Sequence, residues 1–372
     1  MSERPAGAGI ITVVGTRPEI IKISPVKKAC VDNHVPNEIV HTGQHYSYEL
    51  DSLIFHDLAL PNPEYNLRIG SGSHAEETAR ALVGLEGFFK KISPQAVLVQ
   101  GDTNSALAGA LAASKLHIPV GHIEAGLRSF DREMPEEKNR IIIDHISDAL
   151  FAPTATSAEN LAREGISKDS TLITGNTIVD AVNFGLHQLE ARSKEGTTPN
   201  NAYDDGFLLM TIHREENVDN EERLRRMLKG VTLASSKLER EVIFPAHPRT
   251  VMRIKQYNIP IPDSIRLVEP SGYLDFLRLE RDADLILTDS GGVQEEACIL
   301  EVPCVTLRPS TERPETVKIG ANQLSGMEPE NIVKATEEMI DSPRHWVNPF
   351  GDGKAGTRIV DAIVQSGWSK PV

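Results

Sequence analysis

This 372-residue chain is short of cysteine, of positive charge and of long apolar runs, and each shortage removes a class of function. Its three cysteines, Cys30, Cys298 and Cys304, form no CxxC pair and leave an odd count. They suggest neither a disulfide framework nor a cysteine zinc site, and a reducing compartment is the simpler expectation. Lysine and arginine number 39 against 53 acids, a formal net charge of −14. Sequence-independent binding to nucleic acid or an anionic membrane needs a basic face, so any phosphate should belong to a small ligand held locally. No run of about 18 apolar residues occurs, so no membrane span is predicted. The opening "MSERPAGAGIITVVGTRPE" has no signal-peptide core, and a cytoplasmic location is expected. Internal repeats and low-complexity segments are also missing.

What is present is alternation. Apolar or β-branched runs ("IITVV", "EIVHT", "AVLVQ", "PVGHI", "LFAPT", "TLITG", "FLLMTI", "EVIFPA", "IRLVE", "DLILT", "PCVTL") are separated by helical patterns. That order predicts an α/β chain of parallel sheets with helices on both faces. The polar stretch between Gly185 and Gly206 interrupts it and suits a helix followed by a surface connection. A boundary near Asp180 follows, with a second sheet opening at Phe207. Polar clusters follow the strands, where open parallel sheets bind ligands, and two such sheets facing one another would make a nucleotide cleft.

Each cluster has a plain reading beside a chemical one. "GTRPEIIK" sets Arg17 and Lys22 by a helix start, which could equally be surface charge on an amphipathic helix; it lacks the glycine fingerprints of dinucleotide and phosphate loops. In "GDTNS", Asp102 ends a strand where the ordinary role is a helix cap, with Thr103 or Ser105 as the other cap candidates. Glu124 closes an apolar strand beside a glycine, which is less ordinary. Glu136, Glu137 and Arg140 begin a helix after Pro135, and Glu137 is read as complementing the helix dipole. His213 ends the first strand of the second half; a single histidine is usually structural. "HTGQH" lacks the glutamate of a zinc helix and "HIE" lacks a PCxxC partner, so no metal or other cofactor is predicted.

The turn "TDSGGVQEEA" offers Ser290, Gly291 and Gly292 as amide donors at a helix start, a natural anion site. Gly292 and Glu296 are four apart and share a helix face, so Glu296 would stand one turn beyond a diphosphate. Glu295 would point elsewhere and is read as structural. Arg313 arrives after the following strand.

Taken together and in order, "GTRPEIIK", "TGQH", "GDTNS", "HIEAGLRS", "PEEKNR", "GNTIVDA", "HREEN", "TDSGGVQEEA", "TERPE" and "NPFGDGKAGTRI" resemble the non-hydrolysing UDP-N-acetylglucosamine 2-epimerases across nearly the whole chain. The resemblance implies two Rossmann-like doubly wound domains facing an interdomain cleft, the GT-B fold. The expected limits are 1–179 for the N-terminal domain with the catalytic acids, 180–355 for the UDP-binding domain, and 356–372 for a helix returning to the first. It implies catalysis by Asp102, Glu124, Glu136 and His213. It implies substrate binding by Arg17, Lys22, Arg140, Ser271, Phe276, Ser290, Gly291, Gly292, Glu296 and Arg313, with Ser271 and Phe276 lining a uracil pocket and Glu296 bonding the ribose. UDP-N-acetylglucosamine and UDP-N-acetylmannosamine become the expected ligands, and a homodimer the expected assembly.

The implied reaction eliminates UDP to a 2-acetamidoglucal and adds it back with inversion at carbon 2. The rivals are a hydrolysing 2-epimerase, an epimerase of a diacetamido or uronate UDP sugar, a glycosyltransferase on the same fold, and a catalytically silent sugar-nucleotide sensor. Retention of all three acids speaks against the last two. In "GQHYSYEL", Gln44 and His45 are kept, but Ser47 replaces a second glutamine, which argues against a second, activating substrate site.

Overall fold

The structure is a computed structural model and describes residues 9–43, 48–195, 206–270 and 272–368. Ser271, Gln44, His45 and Ser47 lie outside the described residues. The chain divides into two units, 1–184 with 350–372, and 185–349.

The first unit holds β1 (Ile10–Val14), β2 (Asn37–His41), β3 (Tyr65–Asn66), β4 (Ala96–Gln100), β5 (Val120–Ile123), β6 (Ala149–Ala152) and β7 (Thr171–Ile173). They form one parallel sheet in the order β3-β2-β1-β4-β5-β6-β7. β1 and β4 are buried at every position, so their apolar residues are not alternating but continuous, as expected of strands covered on both faces. One face packs Ile11, Val13, Val97 and Val99 against Ala106, Ala110 and Ala113 of helix Asn104–Lys115 and against Leu85 and Phe89. The small alanines let that helix lie close to the sheet.

The other face packs Ile10, Leu98 and Ile123 with Val26 and Cys30 of helix Arg17–Asp32 and with Ile359, Val360 and Ile363 of the last helix, Ala355–Gln365. Asp180 accepts hydrogen bonds from the Ala355 and Gly356 amides at 3.2 and 3.0 Å, satisfying donors at the start of that last helix.

The second unit holds β8 (Phe207–Thr211), β9 (Glu241–Pro245), β10 (Ile265–Val268), β11 (Leu285–Thr288), β12 (Cys304–Thr306) and β13 (Asn322–Leu324), all parallel, in the order β10-β9-β8-β11-β12-β13. Leu208, Met210, Phe244, Leu285 and Leu287 pack beneath Leu224, Met227 and Val231 of helix Glu221–Leu238.

Both units thus have the doubly wound, Rossmann-like organisation expected. β3 and β13 are additions to the eleven predicted strands. Both are edge strands, of two and three residues, with the polar sequences "YN" and "NQL". Each sheet reverses its strand order once, between β1 and β4 in the first unit and between β8 and β11 in the second. The crevice at the carboxyl ends of those strands is where such sheets bind ligands.

Candidate active site

In the first unit the switch point is framed by two turns, Gly15-Thr16-Arg17 after β1 and Gly101-Asp102-Thr103 after β4. Glu19 staples them. Its carboxylate accepts from the amides of Gly15 and Thr16 at 2.9 and 2.7 Å and from the Thr103 hydroxyl at 2.7 Å. Gly15 has no room for a side chain, because a Cβ would strike the Ser105 hydroxyl and come within 2.7 Å of that of Thr42. Thr103, not Asp102, caps helix Asn104–Lys115, accepting from the Ala106 amide at 3.0 Å.

Asp102 is therefore released from the capping role and is held by Arg140, whose Nε donates to Oδ2 at 3.0 Å and whose Nη2 also contacts it. The same guanidinium donates to Glu137 at 2.5 Å. Arg140 is buried, and its guanidinium bonds both acids. Glu137 corrects its predicted role. It is 1 % exposed and accepts from the amides of Ser129 and Phe130, both at 2.9 Å, so it fixes the loop before its helix rather than merely facing the dipole. Glu136, its neighbour in the first turn of helix Pro135–Ile146, is half-buried.

Glu124 sits just beyond β5 with φ +69°, a left-handed backbone rare for a residue with a Cβ. Such strain persists only where the surroundings enforce it. Lys22 lies 2.5 Å from its Oε1, and Gln100 at the end of β4 donates to its Oε2. Lys22 and Glu124 are both buried, so removing either would strand an uncompensated charge, a loss of about 3 to 5 kcal/mol. Arg17 opens helix Arg17–Asp32 and is half-buried. Arg17, Lys22, Asp102, Glu124, Glu136 and Arg140 thus all lie on the segments at or next to this unit's switch point.

The second unit builds a cationic cradle in the same topological place. Asp289 follows β11 and is fully buried. It accepts from the amides of His213 and Arg214, both at 3.1 Å, and from Asn217 at 3.0 Å, and its Oδ1 lies 3.0 Å from His213 Nδ1. Burial alone would raise its pKa, but His213, Asn217 and Arg214 outweigh burial and hold it at about 2. With Nδ1 engaged, the half-exposed His213 ring turns Nε2 outward.

Ser290 caps helix Gly291–Ile299, and its hydroxyl accepts from the Val293 amide at 3.4 Å. Gly291 is required by close approach, since a Cβ would lie 2.6 Å from Glu312 Oε1 and 2.8 Å from Arg313 Nη1; Gly292 has nothing nearer than 3.9 Å. Arg313 is oriented by two acids, Glu295 at 2.8 Å and Glu312 at 2.7 Å. Glu312 also accepts from Arg214 at 3.1 Å and Arg308 at 3.0 Å.

Glu296 is buried on the same helix. Beside it, burial and then the charge of Glu296 push the carboxyl of Glu280 well above the ordinary range. Phe276 is half-buried and packs against the Phe207, Leu209 and Ile286 layer. Sequence reasoning missed Gln100, Asp289, Glu312 and the bracing parts of Glu19 and Glu137. For Gln100, Asp289 and Glu312 the residues stood in "VQGD", "TDSGG" and "TERPE", but Glu124, His213 and Arg214, the partners that reveal their roles, are 24, 76 and 98 residues away, as Thr103 is 84 from Glu19. The partners of Glu137 are only 3 to 8 residues away, and its local reading as a dipole acid concealed them. Among the described residues no group of three or more histidine, cysteine or acidic side chains is arranged to hold a metal ion. No described helix is long and apolar enough to cross a membrane.

Comparison with known proteins gives this arrangement a context. A family model described as UDP-N-acetylglucosamine 2-epimerase matches residues 28–364. The UDP-N-acetylglucosamine 2-epimerase of Methanocaldococcus jannaschii is 52 % identical over 353 residues, 94 % of this chain and 96 % of that one. The crystal structure of the enzyme from that organism, in complex with UDP-GlcNAc and UDP, superposes with a TM-score of 0.92 at 51 % identity, covering 96 % of this chain and 99 % of that one. The UDP-2,3-diacetamido-2,3-dideoxy-D-glucuronate 2-epimerase of Pseudomonas aeruginosa is 40 % identical, over 96 % of this chain and 99 % of that one. A match that extends through both sheets and both switch points means that this chain is a member of the UDP-N-acetylglucosamine 2-epimerase family.

Proposed function

We propose that this protein interconverts UDP-N-acetylglucosamine and UDP-N-acetylmannosamine without net hydrolysis. The observation that carries the reading is the set of three acids, Asp102, Glu124 and Glu136, gathered on the segments around one switch point with Arg140 and Lys22 as fixed counter-ions of the first two.

The proton on carbon 2 is not adjacent to a carbonyl, so direct removal would leave an unstabilised carbanion. Elimination avoids this. The bond from carbon 1 to the UDP oxygen breaks with its electron pair leaving on UDP, while an acid group in its carboxylate form takes the carbon 2 proton, giving a 2-acetamidoglucal. In the return step a proton is delivered to the opposite face of carbon 2 and the UDP oxygen re-forms its bond to carbon 1. Two faces require more than one proton-handling group, and the three acids provide them.

Departing UDP gains negative charge at its diphosphate. His213, Arg313 and the Ser290-Gly291-Gly292 amides are the donors suited to that charge, and Glu296 suits the ribose hydroxyls. Pre-set donors matter here because they do not reorganise as charge develops; losing one typically costs about 3 to 4 kcal/mol of barrier.

Incubation with UDP-N-acetylglucosamine in heavy water tests the reading. The expected result is deuterium at carbon 2 in a mixture of UDP-linked gluco and manno sugars. Free UDP as the main product would replace it with a hydrolysing epimerase, and no exchange without an added acceptor would remove the epimerase reading. The likeness to the diacetamido uronate enzyme gives a second substrate to test. Faster turnover of that sugar than of UDP-N-acetylglucosamine would reassign the substrate and leave the chemistry intact.

A further inference from the structure

Behind the acids of the first unit lies a buried chain of charged groups that the reaction outlined above does not use. His122, the third residue of β5, has no solvent exposure. Its Nδ1 lies 2.6 Å from Asp144 Oδ1, and its Nε2 lies 2.8 Å from the carbonyl oxygen of Gly101. A carbonyl oxygen can only accept, so Nε2 carries a hydrogen. The other carboxyl oxygen of Asp144 accepts from Arg128 at 2.8 Å and from the Gly126 amide at 3.2 Å, and the guanidinium charge beside it favours the carboxylate form. The hydrogen between His122 and Asp144 therefore belongs to Nδ1, and both ring nitrogens donate.

The positions of the two acceptors give this pair its significance. The Gly101 carbonyl belongs to the peptide that leads directly into Asp102. The Gly126 amide belongs to the turn that follows Glu124, whose backbone is itself held at positive φ. Asp144 sits on helix Pro135–Ile146, the helix that carries Glu136 at its start. One buried pair is thus bonded to the backbone beside two of the acids and is mounted on the element that carries the third.

We propose that His122 and Asp144 form a positioning pair that locks the Gly101–Asp102 peptide and the turn after Glu124 in register with helix Pro135–Ile146. It acts through backbone placement and touches no substrate. The proposal rests on the epimerase reading for its kinetic consequence but not for its chemistry. Misplacement of a reacting group by an ångström can lower a rate by about 100-fold, which is the scale expected here.

Two substitutions separate the contacts. In His122→Gln the side-chain amide reaches the Nε2 position and can still donate to Gly101. In His122→Asn the shorter amide reaches only the Nδ1 position and Asp144. The expected result is a fall in kcat of about 100-fold for H122N with KM near the wild-type value, and a recovery of at least about tenfold of that loss in H122Q. Equal kcat in the two variants, or a loss confined to KM, would overturn the proposal.

A second measurement needs no variant. In full-length protein labelled with nitrogen-15 histidine, the proposal requires a solvent-protected imidazole with protons on both nitrogens. A spectrum in which every protected ring carries one proton would overturn it, even if both variants failed to fold. Deuterium exchange at carbon 2 by the wild-type protein is the separate control. Its absence would remove the epimerase reading and leave the histidine spectrum as the test of the pair.

Discussion

Asp289 Oδ1 lies 3.0 Å from Nδ1 of His213, and the same carboxylate accepts the backbone amide of that histidine. The acid fixes both where the residue sits and which ring nitrogen faces outward. In Asp289→Asn the side chain no longer accepts on both oxygens, and the charge facing His213 is gone. The expected outcome is a fall in kcat of about 10²-fold or more with the fold retained, the scale seen when a donor to developing charge is lost. Steady-state kinetics on folded D289N check it.

The same carboxylate makes acid stability a second readout. Asp289 titrates at about 2 in the folded chain against an ordinary 3.8, so the folded state binds its proton more weakly than the unfolded state does. Its contribution is complete above 3.8 and is lost as pH falls through about 2, amounting to roughly 2 kcal/mol. Denaturant midpoints measured across that window should fall for the wild type and be flatter for D289N. Parallel curves would contradict the assignment.

Arg140 joins Asp102 to Glu137 through one planar guanidinium. A lysine can satisfy one of these acids but not both in that geometry. Arg140→Lys should therefore fold and lose about 10²-fold in kcat through displacement of Asp102. Arg140→Met leaves two acids without their cation and should cost about 3 to 5 kcal/mol of stability. Thermal melts and kinetics on the pair of variants distinguish the two effects. Equal activity of R140K and wild type would show that Asp102 needs no such clamp.

The alternation of apolar runs and helical patterns was enough to read the two parallel sheets, because strands buried on both faces must be continuously apolar. It could not reveal β3 or β13. Tyr65-Asn66 and Asn322–Leu324 are short and polar, and they count as strands only because a longer strand is already beside them. The same difference separates the site residues. That Ser290 stands at a helix start, with Gly292 and Glu296 on the helix that follows, was legible from a single stretch of sequence. Glu137 was not, because its role depends on Ser129, Phe130 and Arg140 folding back around it, and an acid in a first helical turn has an adequate local explanation already. Asp289 was passed over for the same reason, as a turn residue at a strand end.

Gly291 and Gly292 look equivalent in "DSGG" but differ in their surroundings. A Cβ at position 291 would meet Glu312 and Arg313 at 2.6 and 2.8 Å, whereas at 292 the nearest atom is 3.9 Å away. Gly291→Ala should push Arg313 off its braces, with an overpacking cost of about 1 to 3 kcal/mol. Gly292→Ala should leave the melting temperature near that of the wild type. Equal destabilisation by the two substitutions would mean that the Arg313 brace can yield.

Adjacent glutamates give the sharpest contrast. Glu295 is fully buried and bonded to Arg313 Nε at 2.8 Å, while Glu296 lies one residue on, beside the buried Glu280. A hydrogen bond to a charged group contributes about 1.5 to 3 kcal/mol, so Glu296→Gln should weaken UDP binding by roughly 10- to 150-fold with little change in melting temperature. Glu295→Gln should instead lower the melting temperature, because it leaves a buried arginine with one acid where it had two. Its effect on UDP is indirect and follows the loosened Arg313. Calorimetric titration with UDP, set beside thermal melts of the same samples, separates binding from bracing. If E296Q binds UDP as tightly as the wild type, the ribose contact is wrong, and the placing of Glu296 one turn beyond the diphosphate fails with it.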